Sequence, residues 1–195
     1  MQIGSGWCKG LKLATPRGLE TRPTRSRVRA AIMSMLQPWF SEAVVLDLYA
    51  GSGAVGLEML SRGAVGAVFI EKSKEAYKAL QENIGNLRMR ASSQGVNLNP
   101  LRSMLQDSLA ALNGCRLGEY DLIWADPPYA EAESFVMTAL PIVSKILTPG
   151  GVFALESDVS LEQRLSSIGA EVGLELIKQR AYGVTLISVW KKLAD

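Results

Sequence analysis

Asp126-Pro127-Pro128-Tyr129 stands directly after the apolar run Tyr120-Asp121-Leu122-Ile123-Trp124-Ala125. Two successive prolines remove two N–H donors and fix φ at both sites, so the turn is rigid and rich in free acceptors. An acceptor-only carboxylate, an exposed carbonyl and a flat ring are the parts that hold a planar amino group. Asp126 and the Pro127 carbonyl accept its two N–H bonds while Tyr129 stacks on the attached base. Drawing both N–H groups out turns the nitrogen lone pair toward an incoming methyl. Asp126, Pro127, Pro128 and Tyr129 are therefore the candidate catalytic set. An ordinary proline turn is the alternative, and the place of this one at the end of a fourth strand disfavours it.

A second constellation lies upstream, in Asp47-Leu48-Tyr49-Ala50-Gly51-Ser52-Gly53-Ala54-Val55-Gly56. Glycines at 51, 53 and 56 match GxGxxG between a strand and a helix, which lets backbone N–H groups approach a ligand. Glu71, at the end of the next strand, can accept both hydroxyls of a ribose. To this point NAD, FAD and S-adenosylmethionine fit alike. Asp47 separates them: a carboxylate here repels a pyrophosphate and attracts the sulfonium and ammonium groups of S-adenosylmethionine. A role for Asp47 as a cap of the turn backbone stays open. Asp107, beyond the third strand, is placed either to accept from an adenine amino group or to cap a helix.

What is missing limits the chemistry further. The 195 residues contain no histidine, which excludes a Ser-His-Asp triad, His-ligated metal and an imidazole base, and no metal is expected. Cys8 and Cys115 lack the paired spacing of a zinc or redox site and read as reduced intracellular thiols. The start carries no signal-peptide pattern and no apolar run is long enough for a membrane span, so a soluble cytoplasmic protein is expected, or an organellar one if a transit segment has been removed.

The elements that must position these residues alternate from residue 44 onward. Short apolar runs at 44–49, 67–70, 98–103, 120–125 and 152–156 read as strands covered on both faces. Helices are expected over 54–62, 73–88, 133–147 and 160–168, and β-rich runs at 171–178 and 185–191 form a closing hairpin. The fold class expected is α/β: a doubly wound, mostly parallel seven-stranded sheet with a C-terminal antiparallel hairpin, binding ligands at its strand ends. Residues 1–40 read as a basic extension packed on a main domain at 41–195.

Charge is segregated along the chain. The formal total is +2, yet residues 1–40 carry Lys9, Lys12, Arg17, Arg22, Arg25, Arg27 and Arg29 against Glu20 alone, a net of +6, and the remainder is −4. Such a segment suits a polyanion or a solvated helix face equally. A helix starting near Thr24 gathers Arg22, Arg25 and Arg29 on one side and turns Ala30, Ile32, Met33, Met35 and Leu36 inward.

Taken together these residues resemble the bacterial 16S ribosomal RNA guanine-N2 methyltransferases of the RsmD type. Lys9-Gly10-Leu11-Lys12-Leu13 is similar to that family's KGRKL opening, and Arg22-Pro23-Thr24 with Val28-Arg29 to its RPTxxxVR segment. Asp47 to Ala64, Asp126 to Tyr129 and Tyr182-Gly183-Val184-Thr185 resemble its Gly-loop and LSRGA run, its DPPY/F and its YGxT. Leu11, Ser26 and Ile32-Met33 depart from the usual Arg, Asp and Leu-Phe, all within the basic extension.

The resemblance implies a monomeric class I methyltransferase of the small-subunit rRNA or its particle, with S-adenosylmethionine as cofactor. It implies Asp47, Ala50, Gly51, Ser52, Gly53, Glu71, Lys72 and Asp107 at the cofactor, Asp126 to Tyr129 at the target amine, and Arg22, Thr24, Arg25 and Arg29 at the RNA. The rivals are an adenine-N6 DNA or RNA methyltransferase, a non-catalytic RNA-binding assembly factor, and a nicotinamide oxidoreductase that would leave Asp47 and the DPPY turn unused.

Overall fold

The apolar runs form a single sheet. β1 (Val44–Asp47), β2 (Gly66–Glu71), β3 (Leu101–Leu105), β4 (Tyr120–Ala125) and β5 (Leu147–Asp158) are parallel, and β6 (Leu174–Tyr182) with β7 (Thr185–Lys192) closes one edge as an antiparallel hairpin. The computed structural model describes residues 1–16 and 23–193, with the backbone alone at 23–27. The strand order is β3-β2-β1-β4-β5-β7-β6, so the chain reverses direction across the sheet between β1 and β4. That reversal opens a crevice at the carboxyl ends of β1 and β4, where open α/β sheets bind ligands.

Both faces are covered. On one, Val45, Phe69, Trp124, Ala154, Ile187 and Val189 pack under α1 (Pro23–Leu36), α2 (Ala54–Ser61) and α3 (Lys74–Ser93). On the other, Leu46, Val68, Ile123, Phe153 and Trp190 meet α4 (Ser108–Leu112) and α5 (Tyr129–Ile146). A short α6 (Glu162–Leu165) follows β5. Ile3, Cys8 and Leu13 are buried in the first of these clusters, so residues 1–16 share the core of the sheet. A bridge between Gln2 and Lys12 folds that segment on itself, and Trp7 donates from Nε1 to the Leu60 carbonyl at 3.0 Å.

Several boundaries differ from the periodicity reading. α3 runs on to Ser93 because Leu87 and Ala91 extend the buried stripe begun at Ala76 and Leu80. α5 starts at Tyr129, with Pro128 at its N-cap, so the proline turn leads straight into the helix. β3 begins only at Leu101, after Pro100, and β5 takes in Leu147, which pairs with Tyr120. The expected helix at 160–168 is a 3-10 turn at Val159–Leu161 followed by α6. The hairpin strands start at Leu174 and Thr185, joined by a two-residue turn at Gly183-Val184.

Candidate active site

A cavity of about 890 Å³ opens at the ends of β1, β2, β4 and β5. Its walls bring together Asp47, Ala50, Gly51, Ser52, Glu71, Lys72 and Asp126 to Tyr129, residues that lie up to 82 positions apart in the chain. Met1, Gln2, Thr15 and Pro16 from the N-terminal segment, and Val28, Arg29 and Ile32 from α1, form the facing wall.

Asp47 ends β1 and is 1% exposed. Its Oδ2 accepts from the Gly56 N–H at 3.1 Å, while Oδ1 is buried with no hydrogen-bond partner. Burial pushes its carboxyl up to about 7, the Gly56 N–H opposing this and the charges of Asp126 and Glu71 adding to it. One oxygen of this carboxylate thus caps the turn backbone and the other has no partner within the protein. A buried acceptor without a donor is costly, and a cationic or N–H-bearing ligand removes that cost.

The glycines of the turn have separate tasks. Gly53 is the N-cap of α2 with φ +81, and a Cβ there would come within 2.6 Å of Leu80 Cδ1. At Gly56 a Cβ would meet Phe69 Cε1 at 2.6 Å and Asp47 Oδ2 at 3.0 Å, so its absence lets the carboxylate reach the helix N–H. Gly53 does not line the cavity; it shapes the turn that does. A Cβ at Gly51 would meet nothing within 4 Å.

Glu71 ends β2 and anchors the same turn. Its Oε2 accepts from Gly51 N–H at 2.7 Å and its Oε1 from Ser73 N–H at 2.6 Å. Each carboxylate oxygen keeps further lone-pair capacity. Lys72 is half-exposed at the rim, 3.7 Å from Glu131. Asp107 caps α4 through Oδ1, accepting from Leu109 and Ala110 N–H at 3.0 and 3.2 Å, and the neighbouring Ser108, not Asp107, lines the cavity. The Ser108 hydroxyl donates to the Leu48 carbonyl and fixes α4 to the end of β1.

At the β4 end, Pro127 is buried while Asp126 and Pro128 are exposed to the cavity mouth. Tyr129, 41% exposed, shares a 2.8 Å hydrogen bond between its hydroxyl and Thr185 Oγ1. Burial raises its phenol above the usual value, opposed by the Thr185 bond and assisted by the charges of Glu156, Asp126 and Asp158. The ring is thus held by the first residue of β7. Thr185 and Glu156 belong to the cavity wall, and sequence spacing gave no sign of it except for the YGxT likeness that ends at Thr185.

Of the residues expected at RNA, Thr24 lies on the first turn of α1 with Arg25 beside it, and Arg22 lies outside the described residues. Arg29 is occupied: its Nε is 3.3 Å from Glu58 Oε2, and its Nη2 donates to the Gln2 carbonyl at 3.2 Å. Arg62 Nη2 meets the other Glu58 oxygen at 2.7 Å. This nearly buried cluster ties α1 to α2. Asn83 makes the other polar tie. It accepts from Ala14 N–H at 2.7 Å and donates to the carbonyls of Ala14 at 2.9 Å and Ser52 at 2.8 Å, joining the N-terminal segment to the Gly-rich turn. Among the described residues no cluster of potential metal ligands is found, and no helix is long and apolar enough to cross a membrane.

A sheet of this order, with an acid ending β1, a Gly-rich turn, an acid ending β2 and a proline turn after β4, defines a class I methyltransferase. The chain belongs to the family described as Conserved hypothetical protein 95, whose model matches residues 1–191. It is 31% identical over 193 residues to YlbH of Bacillus subtilis, provisionally named an rRNA methyltransferase, covering 98% of this chain and 99% of that one. It is 35% identical over 127 residues to Ribosomal RNA small subunit methyltransferase D of Escherichia coli, covering 65% of this chain and 59% of that protein. The solved structure of Escherichia coli yhhF, provisionally named a methyltransferase, superimposes with a TM-score of 0.82 at 27% identity, covering 100% and 99% of the two chains.

Proposed function

We propose that this protein methylates the exocyclic N2 amine of a guanine in small-subunit (16S) ribosomal RNA, acting as a monomer in the cytoplasm on the rRNA or its particle. The observation that carries the reading is one cavity in which an acid-lined, glycine-rich side adjoins the Asp126–Tyr129 turn. The relatives named for small-subunit rRNA methylation supply the substrate class.

The residues fit S-adenosylmethionine. The orphaned Oδ1 of Asp47 calls for a donor or a positive charge, and Gly51 leaves its space open. Glu71 has lone pairs left for ribose hydroxyls, with Ala50, Ser52 and Lys72 completing that wall and Asp107 holding Ser108 in place. When bound, the cofactor supplies an electrophilic methyl group. Asp126 and the Pro127 carbonyl hold the target amine by both N–H groups, and Tyr129, fixed by Thr185, stacks on a base turned out of its RNA context. Alignment of this kind can be worth on the order of 7–11 kcal/mol. Once methylated, the amine is acidic and releases its proton to Asp126 or water, so no imidazole is needed.

Replacing Asp126 by Ala should abolish transfer to unmodified small-subunit rRNA while leaving S-adenosylmethionine affinity within a few-fold. A fully active Asp126→Ala enzyme overturns the assignment.

A further inference from the structure

A second carboxylate, Glu156, lines the same cavity as Asp126. The β4–β5 register pairs Trp124 with Ala154 and Ala125 with Leu155, so Asp126 and Glu156 are each the next residue in the chain, one just past the end of β4 and the other on β5, neighbouring strands whose axes lie roughly 5 Å apart. Alternation along β5 places Glu156 on the same sheet face as Ala154, the face that also carries Trp124 and α1. Glu156 is half-buried, pairs across to the buried Ile187 of β7, and lines the cavity together with Asp126, Tyr129 and Thr185. Its charge, with that of Asp126, adds to the rise of the Tyr129 phenol that burial causes.

Each carboxylate has lone-pair capacity for several donors, so Asp126 and Glu156 on one cavity wall together suit a ligand that offers a row of donors. A guanine presents such a row, N1–H beside the N2 amine. An adenine presents its N6 amine beside N1, a lone pair, which a second carboxylate would repel. We infer that Glu156 is a specificity-determining residue that accepts from guanine N1–H while Asp126 and the Pro127 carbonyl hold the N2 amine. This rests on the guanine reading proposed above. It explains how a proline turn suited to any planar amine selects one base.

The test has two stages. Wild-type protein and S-adenosylmethionine are first used to map the methylated nucleotide in unmodified small-subunit rRNA, offered both as a transcript and as the assembled particle. Absence of N2-methylguanosine there overturns the underlying reading. RNAs carrying guanosine or 2-aminopurine at the mapped nucleotide are then compared; 2-aminopurine keeps the N2 amine and lacks N1–H. Wild type should prefer guanosine by about 10- to 100-fold in kcat/KM, the range of one hydrogen bond to a charged group. Glu156→Ala should lower kcat/KM on guanosine and leave 2-aminopurine nearly unchanged, bringing the ratio toward one. Glu156→Gln should keep part of the preference, because its amide oxygen still accepts. The same ratio should appear in equilibrium binding of the two RNAs measured by anisotropy without cofactor. A general structural fault lowers both substrates together. If wild type shows no preference, or Glu156→Ala keeps the wild-type ratio or loses both substrates equally, the inference is overturned.

Discussion

Asp47 is a carboxylate that burial would rather keep neutral, at a place where the proposed ligand is cationic. Its folded-state value of about 7 lies above the ordinary 3.8, so the ligand-free fold binds this proton more tightly than the unfolded chain does. The sign follows: through this group, stability is fully present below about pH 4 and is lost as pH rises to about 7. A cation favours the ionised form, so S-adenosylmethionine binding at pH 6 should release close to one proton, and at pH 8.5 almost none from this group. Calorimetry in two buffers of different ionisation enthalpy reads that number directly. Asp47→Asn keeps the bond from Gly56 N–H and removes the charge; affinity should fall tenfold or more, and Asp47's share of the proton release should vanish. Equal proton release by wild type and Asp47→Asn at pH 6 would contradict this role for the group.

The site is held together at the level of elements by side chains that never touch the reacting atoms. Asn83, on α3, is fully buried and satisfies groups of both the N-terminal segment and the Gly-rich turn. Asn83→Ala removes the hydrogen bonds to the Ser52 carbonyl and to both backbone groups of Ala14, and urea titration should show a loss of about 2–4 kcal/mol in stability. Glu58 is 2% exposed between Arg29 and Arg62, so Glu58→Ala removes the carboxylate partner of two largely buried cations and should cost about 3–5 kcal/mol. A stability within 0.5 kcal/mol of wild type for either variant would mean that α1 and the N-terminal segment are not fixed through these bonds.

These ties also mark where sequence reading stopped. The Asp126–Tyr129 turn, the 51–56 turn and Glu71 were legible because strand, turn and helix start are contiguous, and local rules act over a few residues. Asn83 was not, since its partners lie 31 and 69 positions away and a lone Asn within a helical run is indistinguishable from a surface residue. Arg29 read as one of a basic row because charge spacing cannot reveal that Glu58 sits across from it. For Asp107 the sequence leaves an adenine-accepting and a helix-capping role open; in the structure its Oδ1 caps the first N–H groups of α4.

Over the whole molecule, the basic extension and the sheet are not independent parts. Ile3, Cys8, Leu13, Ile32, Met33, Met35 and Leu36 are buried in the same cluster as Trp124 and Ala154. Removing residues 1–40 should therefore expose core surface and yield an aggregating chain with no cooperative melt; a well-folded monomer of 41–195 would show that the extension is an appendage. If that segment also carries the RNA contacts, affinity for rRNA should fall at least tenfold between 50 and 200 mM salt, and replacing Arg22 and Arg25 by Ala should flatten that dependence.

Nucleoside mass spectrometry of unmodified small-subunit rRNA, offered both as a transcript and as the assembled particle, after incubation with S-adenosylmethionine and either the wild-type protein or Asp126→Ala, tests the central claim most directly. The expected result is N2-methylguanosine made by the wild type and absent with the variant. N6-methyladenosine from the wild type, no methylated nucleoside at all, or N2-methylguanosine formed equally by both proteins would contradict it.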